Sequence, residues 1–432
     1  MILHKSFEIG KEGHLTIDGL DAEALASRFG TPAMFISEDA VRDMCRMYQA
    51  AFSKYFGGAS APVYAGKALC FKRLYTVMAE ENMLADCVSS GEIATANAAG
   101  FPMKNVFFHG NNKTDYDLGY AVEQGVGHIV VDGVEELLSL DKIAADHGVC
   151  QKILLRITPG IDPHTHKKII TGNVDSKFGS AIETGDAERI VRLALSLENV
   201  CLEGLHCHVG SQIFDIAPFR DAADIMLRFI ADMKEKAGLN TKILNLGGGF
   251  GVRYTEDDPE IDYAENVRLL GVEIDKMCEQ LNLTKPDIHM EPGRSIVAAA
   301  GATLYRCGSV KEIKGFRNYV SIDGGMTDNP RYTLYQSQYT VLNASKAAAP
   351  ADFECTLAGR CCESGDLLAE NIKIARPERG DIIAVLVTGA YNYSMASNYN
   401  KVARPPIVMI SGGKPYLAVR RETAEDMMAL DV

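Results

Sequence analysis

PVYAGKALCFKRLYTVMAEENMLADCVSSGEIATANAAGFPMKNVFFHGNNKTDYDLGYAVEQGVGHIVVDG, residues 62–133, alternates two textures. Short apolar runs, PVYAGK (62–67), MLADCVS (83–89), NVFFHG (105–110) and HIVVDG (128–133), are separated by longer stretches with helical apolar spacing. Strands joined through helices pair in parallel, with right-handed crossovers. The format continues through KILLRITP (152–159), CLEGLHCHVG (201–210), KILNLGGG (242–249) and DIHMEPGR (287–294). Eight such units over roughly 250 residues are the size of a (β/α)8 barrel, and the count favours that closed barrel over a doubly wound sheet. Residues 35–300 are expected to form it.

Beyond Arg294 the texture changes. SIVAAAGATLYRCGSVKEI (295–313), NYVSIDGG (318–325), FECTLAGRCCESGD (353–366), DIIAVLVTGAYN (381–392) and PPIVMISGGKPYLAVRR (405–421) are short alternating stretches broken by turns. They predict a mainly antiparallel β domain of sandwich or barrel type over residues 301–432. Residues 1–34, with FEIGKEGHLTIDG (7–19) as a hairpin, are expected to join that domain.

The 44 basic and 57 acidic residues give a net charge of −13, which opposes nonspecific attraction to nucleic acid or anionic membranes. A site for an anionic ligand must then be a local cluster of Arg, Lys or backbone N–H groups. No apolar run reaches the length of a membrane span, and the N-terminus lacks the apolar core of a secretory signal. Eleven cysteines without CxxC pairs suit free thiols in a reducing cytoplasm.

Active sites of such barrels are built from the C-terminal ends of the strands. Here those ends carry Lys67, Asp86, His109, His208 with Ser211, the run Gly247-Gly248-Gly249, and Glu291-Pro292-Gly293-Arg294. Glycine turns after strands seven and eight suit a phosphate, because bare backbone N–H groups can approach it. A lysine in a barrel interior loses solvation and becomes a candidate Schiff-base former, although a lysine in isolation is more often a solvated surface group. Lysine, phosphate cradle and the acid Glu291 together suggest pyridoxal 5'-phosphate. His206-Cys207-His208 could chelate a metal from one strand face, but the further ligands are not evident, so no metal is expected.

YAGKAL (64–69), FHGNNKT (108–114), TGNVDSKFG (171–179), HVGSQ (208–212), GGGFG (247–251), EPGRSIV (291–297), DGGMTDNPRYTLY (323–335), CESGDLL (362–368) and GAYNYSMASNYN (389–400) resemble, in order, the fold-type III pyridoxal-phosphate-dependent decarboxylases. The similarity runs over nearly the whole chain. Within that family it is greatest to the branch acting on meso-2,6-diaminopimelate. The resemblance implies decarboxylation to L-lysine and CO2, the last step of lysine biosynthesis.

By the same resemblance, Lys67 is the cofactor-linking lysine and His208 the ring-stacking histidine. Ser211, Gly248, Gly249, Pro292, Gly293, Arg294 and Tyr391 are implied on the phosphate side, and Glu291 at the pyridine nitrogen. Arg294, Arg331, Tyr335 and Tyr391 are implied to hold the substrate's distal carboxylate, and Glu363 its distal ammonium. The family also implies a homodimer with shared sites, in which Cys362 and Glu363 enter the neighbouring subunit and Cys362 donates a proton. An arginine pair suits a substrate with a second carboxylate, which ornithine and lysine lack. Other decarboxylases of this fold, for ornithine, lysine, arginine or carboxynorspermidine, and a non-catalytic regulatory homologue are the alternatives.

Overall fold

The computed structural model describes residues 4–161 and 176–432, in two compact units. One takes residues 44–251 and 261–293; the other takes 1–43, 252–260 and 294–432.

The first unit is the barrel. Its strands are β1 (Ala61–Ala65), β2 (Leu84–Cys87), β3 (Val106–Phe108), β4 (His128–Val131), β5 (Gln151–Thr158), β6 (Val200–His206), β7 (Ile243–Asn245) and β8 (Asp287–Met290). All pair in parallel with their neighbours in sequence, and β8 closes on β1. Each strand overlaps the apolar run that predicts it, beginning within one or two residues of it, and stops earlier than the run. The reason is chemical: the runs close on glycine, proline or polar residues, which release the chain into a turn. Val63, Phe107, Val130, Leu154 and Ile243, one each from five strands, pack together in the interior, with Leu84 of a sixth against them. Helices on the outside present buried stripes, such as Ala187, Ile190, Val191 and Ala194 of the helix Asp186–Ser196.

Close strand approach is enforced at Gly204 of β6, which pairs with Ile243 of β7. A Cβ there would sit 1.9 Å from the Ile243 carbonyl oxygen. Just before it the β5–β6 register shifts, and Glu203 contacts His128 at 2.8 Å and Lys242 at 3.0 Å.

In the second unit a twelve-residue strand, β9 (Gly301–Glu312), is the spine. Its first half pairs antiparallel with the strand Ala33–Ser37 and with Ile382–Leu386; its second half pairs antiparallel with Asn318–Ile322. Burial follows this split, since residues 301–305 are all buried while those after 307 are largely exposed. Two pairings are parallel, Ala33–Ser37 with Ile407–Ser411 and Asn318–Ile322 with Phe353–Ala358, in a sheet that is otherwise mainly antiparallel. The hairpin expected at 7–19 forms, with Phe7–Ile9 opposite Leu15–Ile17, in a small sheet of its own. No helix among the described residues is long and apolar enough to cross a membrane.

The β6–β7 approach is testable. Gly204→Ala forces backbone apart at the barrel's centre and is expected to cost about 1–3 kcal/mol of stability, read as a lower urea midpoint. An unchanged midpoint would refute the contact.

Candidate active site

Parallel strands covered on both faces are apolar along their length, and polar residues collect where they end. At or just past the C-terminal ends of β1 to β8 stand Lys67, Asp86, His109, Asp132, Arg156, His206, Asn245 and Glu291.

Lys67 lies in the helical turn Gly66–Ala68 that follows β1. It is half-buried, and its Nζ is 3.4 Å from Oδ2 of the fully buried Asp86. Oδ1 of Asp86 is buried with no hydrogen-bond partner among the described residues. The turn is tight: a Cβ at Gly66 would fall 2.5 Å from the Tyr75 hydroxyl and 2.7 Å from the Asp86 carbonyl.

Opposite in sequence, Glu291 is buried and surrounded by donors. Asn245 Nδ2 lies 2.8 Å away, His109 Nε2 3.0 Å and His206 Nε2 3.2 Å. Burial works against its ionisation, but the imidazoles of His109 and His206 override it and hold the carboxyl well below its ordinary range. Burial also pushes His206 down to about 4 and His208 well below the usual imidazole value, the latter helped by the charge of Lys67. His208 is therefore a neutral ring at pH 7, suited to lie on another flat ring. Arg156 lies 3.9 Å from Asp132 and 4.2 Å over the Phe178 ring.

The glycine turns are crowded from behind. A Cβ at Gly248 would meet the Glu291 carbonyl at 2.1 Å, one at Gly249 the Gly210 carbonyl at 2.4 Å, and one at Gly293 the Ala65 Cβ at 2.8 Å. Gly249 also has φ of 128°, which other residues rarely adopt. The N–H groups of Gly248, Gly249 and Gly293 donate to nothing among the described residues. Bare N–H groups, an amine on Lys67 and an acid on Glu291 are what pyridoxal phosphate requires of a protein, so the barrel unit fits that cofactor.

His109, His206 and Glu291 also form a group of metal-ligand type, with one atom of each within 4.8 Å of the others. The Asn245 amide changes its character. Its Oδ1 accepts the Gly247 N–H at 2.9 Å, so its Nδ2 points a hydrogen at Oε1 of Glu291.

In the β unit, Arg294 and Arg331 both approach the Tyr391 ring, at 4.7 Å and 5.6 Å, and Arg331 lies 5.2 Å over Tyr335. Arg294 is buried and donates to the Tyr254 hydroxyl at 2.7 Å. Arg331 donates to Ser337 at 3.3 Å, its Nε is buried with no hydrogen-bond partner, and no carboxylate among the described residues pairs with it. Tyr391 adopts φ of 59°, which fixes the ring's direction at a backbone cost. Cys362 and Glu363 are exposed on this chain, the Cys362 N–H bonded to Asn400 and the Glu363 carboxylate accepting from Gly365 N–H. Burial and the Asp366 carboxylate push the neighbouring Cys361 thiol up to about 11.

Ser211 is half-buried in the turn after β6, and Pro292 is buried between Glu291 and Gly293. Of TGNVDSKFG, residues 171–175 lie outside the described residues. The sequence reading did not assign Asn245 or Arg156, and gave His109 no role. A signal existed for each: a polar residue inside a run that is otherwise apolar and doubly covered has to have a partner.

The pyridoxal-binding domain of the pyridoxal-dependent decarboxylases matches residues 39–298. A diaminopimelate decarboxylase of Bacillus subtilis is 42% identical over 100% of this chain and 98% of its own. Among solved structures, diaminopimelate decarboxylase of M. jannaschii in complex with L-lysine superposes with a TM-score of 0.92 at 33% identity, covering 100% of this chain and 99% of that one. The Helicobacter pylori enzyme with L-lysine gives 0.86 at 29% identity, over 95% and 99%. Similarity of this extent over the full length places the chain in the diaminopimelate decarboxylase family of pyridoxal-dependent decarboxylases.

Proposed function

We propose that the chain is a cytoplasmic, homodimeric decarboxylase that uses pyridoxal phosphate to convert meso-2,6-diaminopimelate to L-lysine and CO2, closing lysine biosynthesis. The observation that carries the substrate is Arg331: a guanidinium held against Tyr335 and Tyr391 with no carboxylate partner among the described residues. A substrate ending in a second carboxylate supplies the missing charge, and a plain diamino acid does not. Lysine bound in two relatives of this family supports the same product.

The chemistry that pyridoxal phosphate supplies when bound is a sink for the electron pair left by a departing carboxylate. Lys67 would hold it through Nζ, with Ser211, Gly248, Gly249, Gly293, Arg294 and Tyr391 on the phosphate and Pro292 shaping the last turn. His208, neutral, would cover one ring face, and ionised Glu291 would keep a proton on the ring nitrogen. Asp86, 3.4 Å from Nζ, stabilises the ammonium form of Lys67 whenever the amine is released.

Arg294, Arg331, Tyr335 and Tyr391 would grip the distal carboxylate and Glu363 of the partner subunit the distal ammonium. Two opposite charges fixed at one end determine which end reacts, a positioning effect rather than a chemical one. Cys362 of the partner subunit would deliver its Sγ proton to the carbon that loses the carboxylate. The neighbouring Cys361 has its thiol raised to about 11 by burial and Asp366.

Lys67→Ala should fold and lose turnover, since the residue is half-buried among polar groups; activity above a few per cent of wild type without added amine would exclude Lys67. Arg331→Ala should weaken diaminopimelate binding about tenfold to a hundredfold, and lysine-like ligands far less. Equal losses for both would make Arg331 structural. Mixing inactive Lys67→Ala and Cys362→Ala chains should restore about a quarter of wild-type sites, because about half the dimers are mixed and each holds one intact site. No recovery after verified subunit exchange would exclude a shared site.

A further inference from the structure

Glu291 is approached by three groups, and all three converge on one oxygen. Asn245 Nδ2, His109 Nε2 and His206 Nε2 contact Oε1, at 2.8, 3.0 and 3.2 Å. Oε2 accepts no hydrogen bond among the described residues. The Asn245 contact is an aligned hydrogen bond, and its direction is locked because Oδ1 already receives the Gly247 N–H. The two imidazoles meet edge to face, with centroids 4.8 Å apart at 65°, and reach Oε1 at charge-contact distance without an aligned N–H.

This asymmetry has a chemical meaning. A buried carboxylate with both oxygens satisfied by its own protein has nothing left to offer a ligand. One with a single saturated oxygen is fixed in rotation and presents the other. The four residues come from the ends of β3, β6, β7 and β8, so no one loop can move the acid without distorting the barrel. The backbone that carries Glu291 is itself held against Gly248, where a Cβ would fall 2.1 Å from the Glu291 carbonyl oxygen.

We propose that Asn245, His109 and His206 are positioning residues which saturate Oε1 of Glu291, keeping it anionic and turning Oε2 to the ring nitrogen of the bound cofactor. The inference rests on reading this barrel end as the pyridoxal phosphate site. It assigns Asn245 a role equal to that of the histidines, and it makes the orientation of Glu291 a property of three other strands. The expected signature is a change in protonation of the ring nitrogen with the cofactor still attached.

The test rebuilds holoenzyme with pyridoxal phosphate carrying nitrogen-15 in its ring and reads the nitrogen shift at pH 7.5. Wild type should show the protonated ring. Asn245→Ala, which removes the aligned donor, and His206→Phe, which keeps a ring in place but removes its nitrogens, should move the shift towards the unprotonated ring. His206→Gln, which restores an N–H, should move it back. In parallel kcat should fall at least about tenfold with KM within about twofold, since the substrate's own contacts are untouched. Asn245→Ser serves if Asn245→Ala does not fold. A wild-type nitrogen shift in Asn245→Ala (or Asn245→Ser) and in His206→Phe overturns the proposal. Borohydride reduction and mass analysis separate it from its premise: a covalent cofactor on Lys67 with an unmoved shift refutes the positioning role alone, and no cofactor on Lys67 in wild type refutes both.

Discussion

Eight parallel strands closed into a ring all finish on the same side, and this shared polarity is the constraint from which the candidate site follows. Along their length the strands are covered on both faces and must be apolar; at their ends the cover stops. Polar residues there share a small rim, and each becomes another's environment. Lys67 meets Asp86, Arg156 meets Asp132, and Glu291 meets donors from three other strands. The pKa directions are consequences of that crowding, as burial keeps His208 neutral while Glu291 stays charged because its neighbours outweigh burial.

The same crowding explains why glycine gathers at the ends of β7 and β8. Gly248 and Gly293 are required less by unusual φ than by what lies behind them, a carbonyl in one case and a methyl in the other. Backbone pressed against backbone on one side leaves N–H groups bare on the other. In a chain of net charge −13, such uncharged donors draw an anion at one place without making the surface attractive to polyanions.

Much of this was legible in the linear chain. The strands β1 to β8 could be read because short apolar runs ending in turn-forming or polar residues recur with helical intervals, and that pattern has few solutions. The residues of the motifs could be read as a set. What could not be read was mutual orientation. The residue Asn245 is one polar position in ILNLG, and nothing in that string says its amide is locked by Gly247 and aimed at Glu291, 46 positions onward. Nor does HCH reveal that His206 turns to His109 and Glu291 while His208 does not. The parallel pairings in the β unit escaped for a related reason: alternation fixes which face is buried and leaves strand direction open.

The placement of Ala33–Ser37 bears on how the chain can mature during synthesis. This early strand sits between β9, pairing Ala33 with Leu304, and the strand Ile407–Ser411, pairing Phe35 with Val408. Both partners are made hundreds of residues later. The barrel, by contrast, draws on a nearly unbroken stretch, residues 44–251 and 261–293, and can close while the remainder is still in the ribosome. The N-terminal segment must then wait as an unpaired, largely apolar strand, AMFIS, until its partners emerge. Such a strand is open to pairing with other nascent chains, and truncation near residue 407 would leave the edge that Ile407–Ser411 covers without its partner.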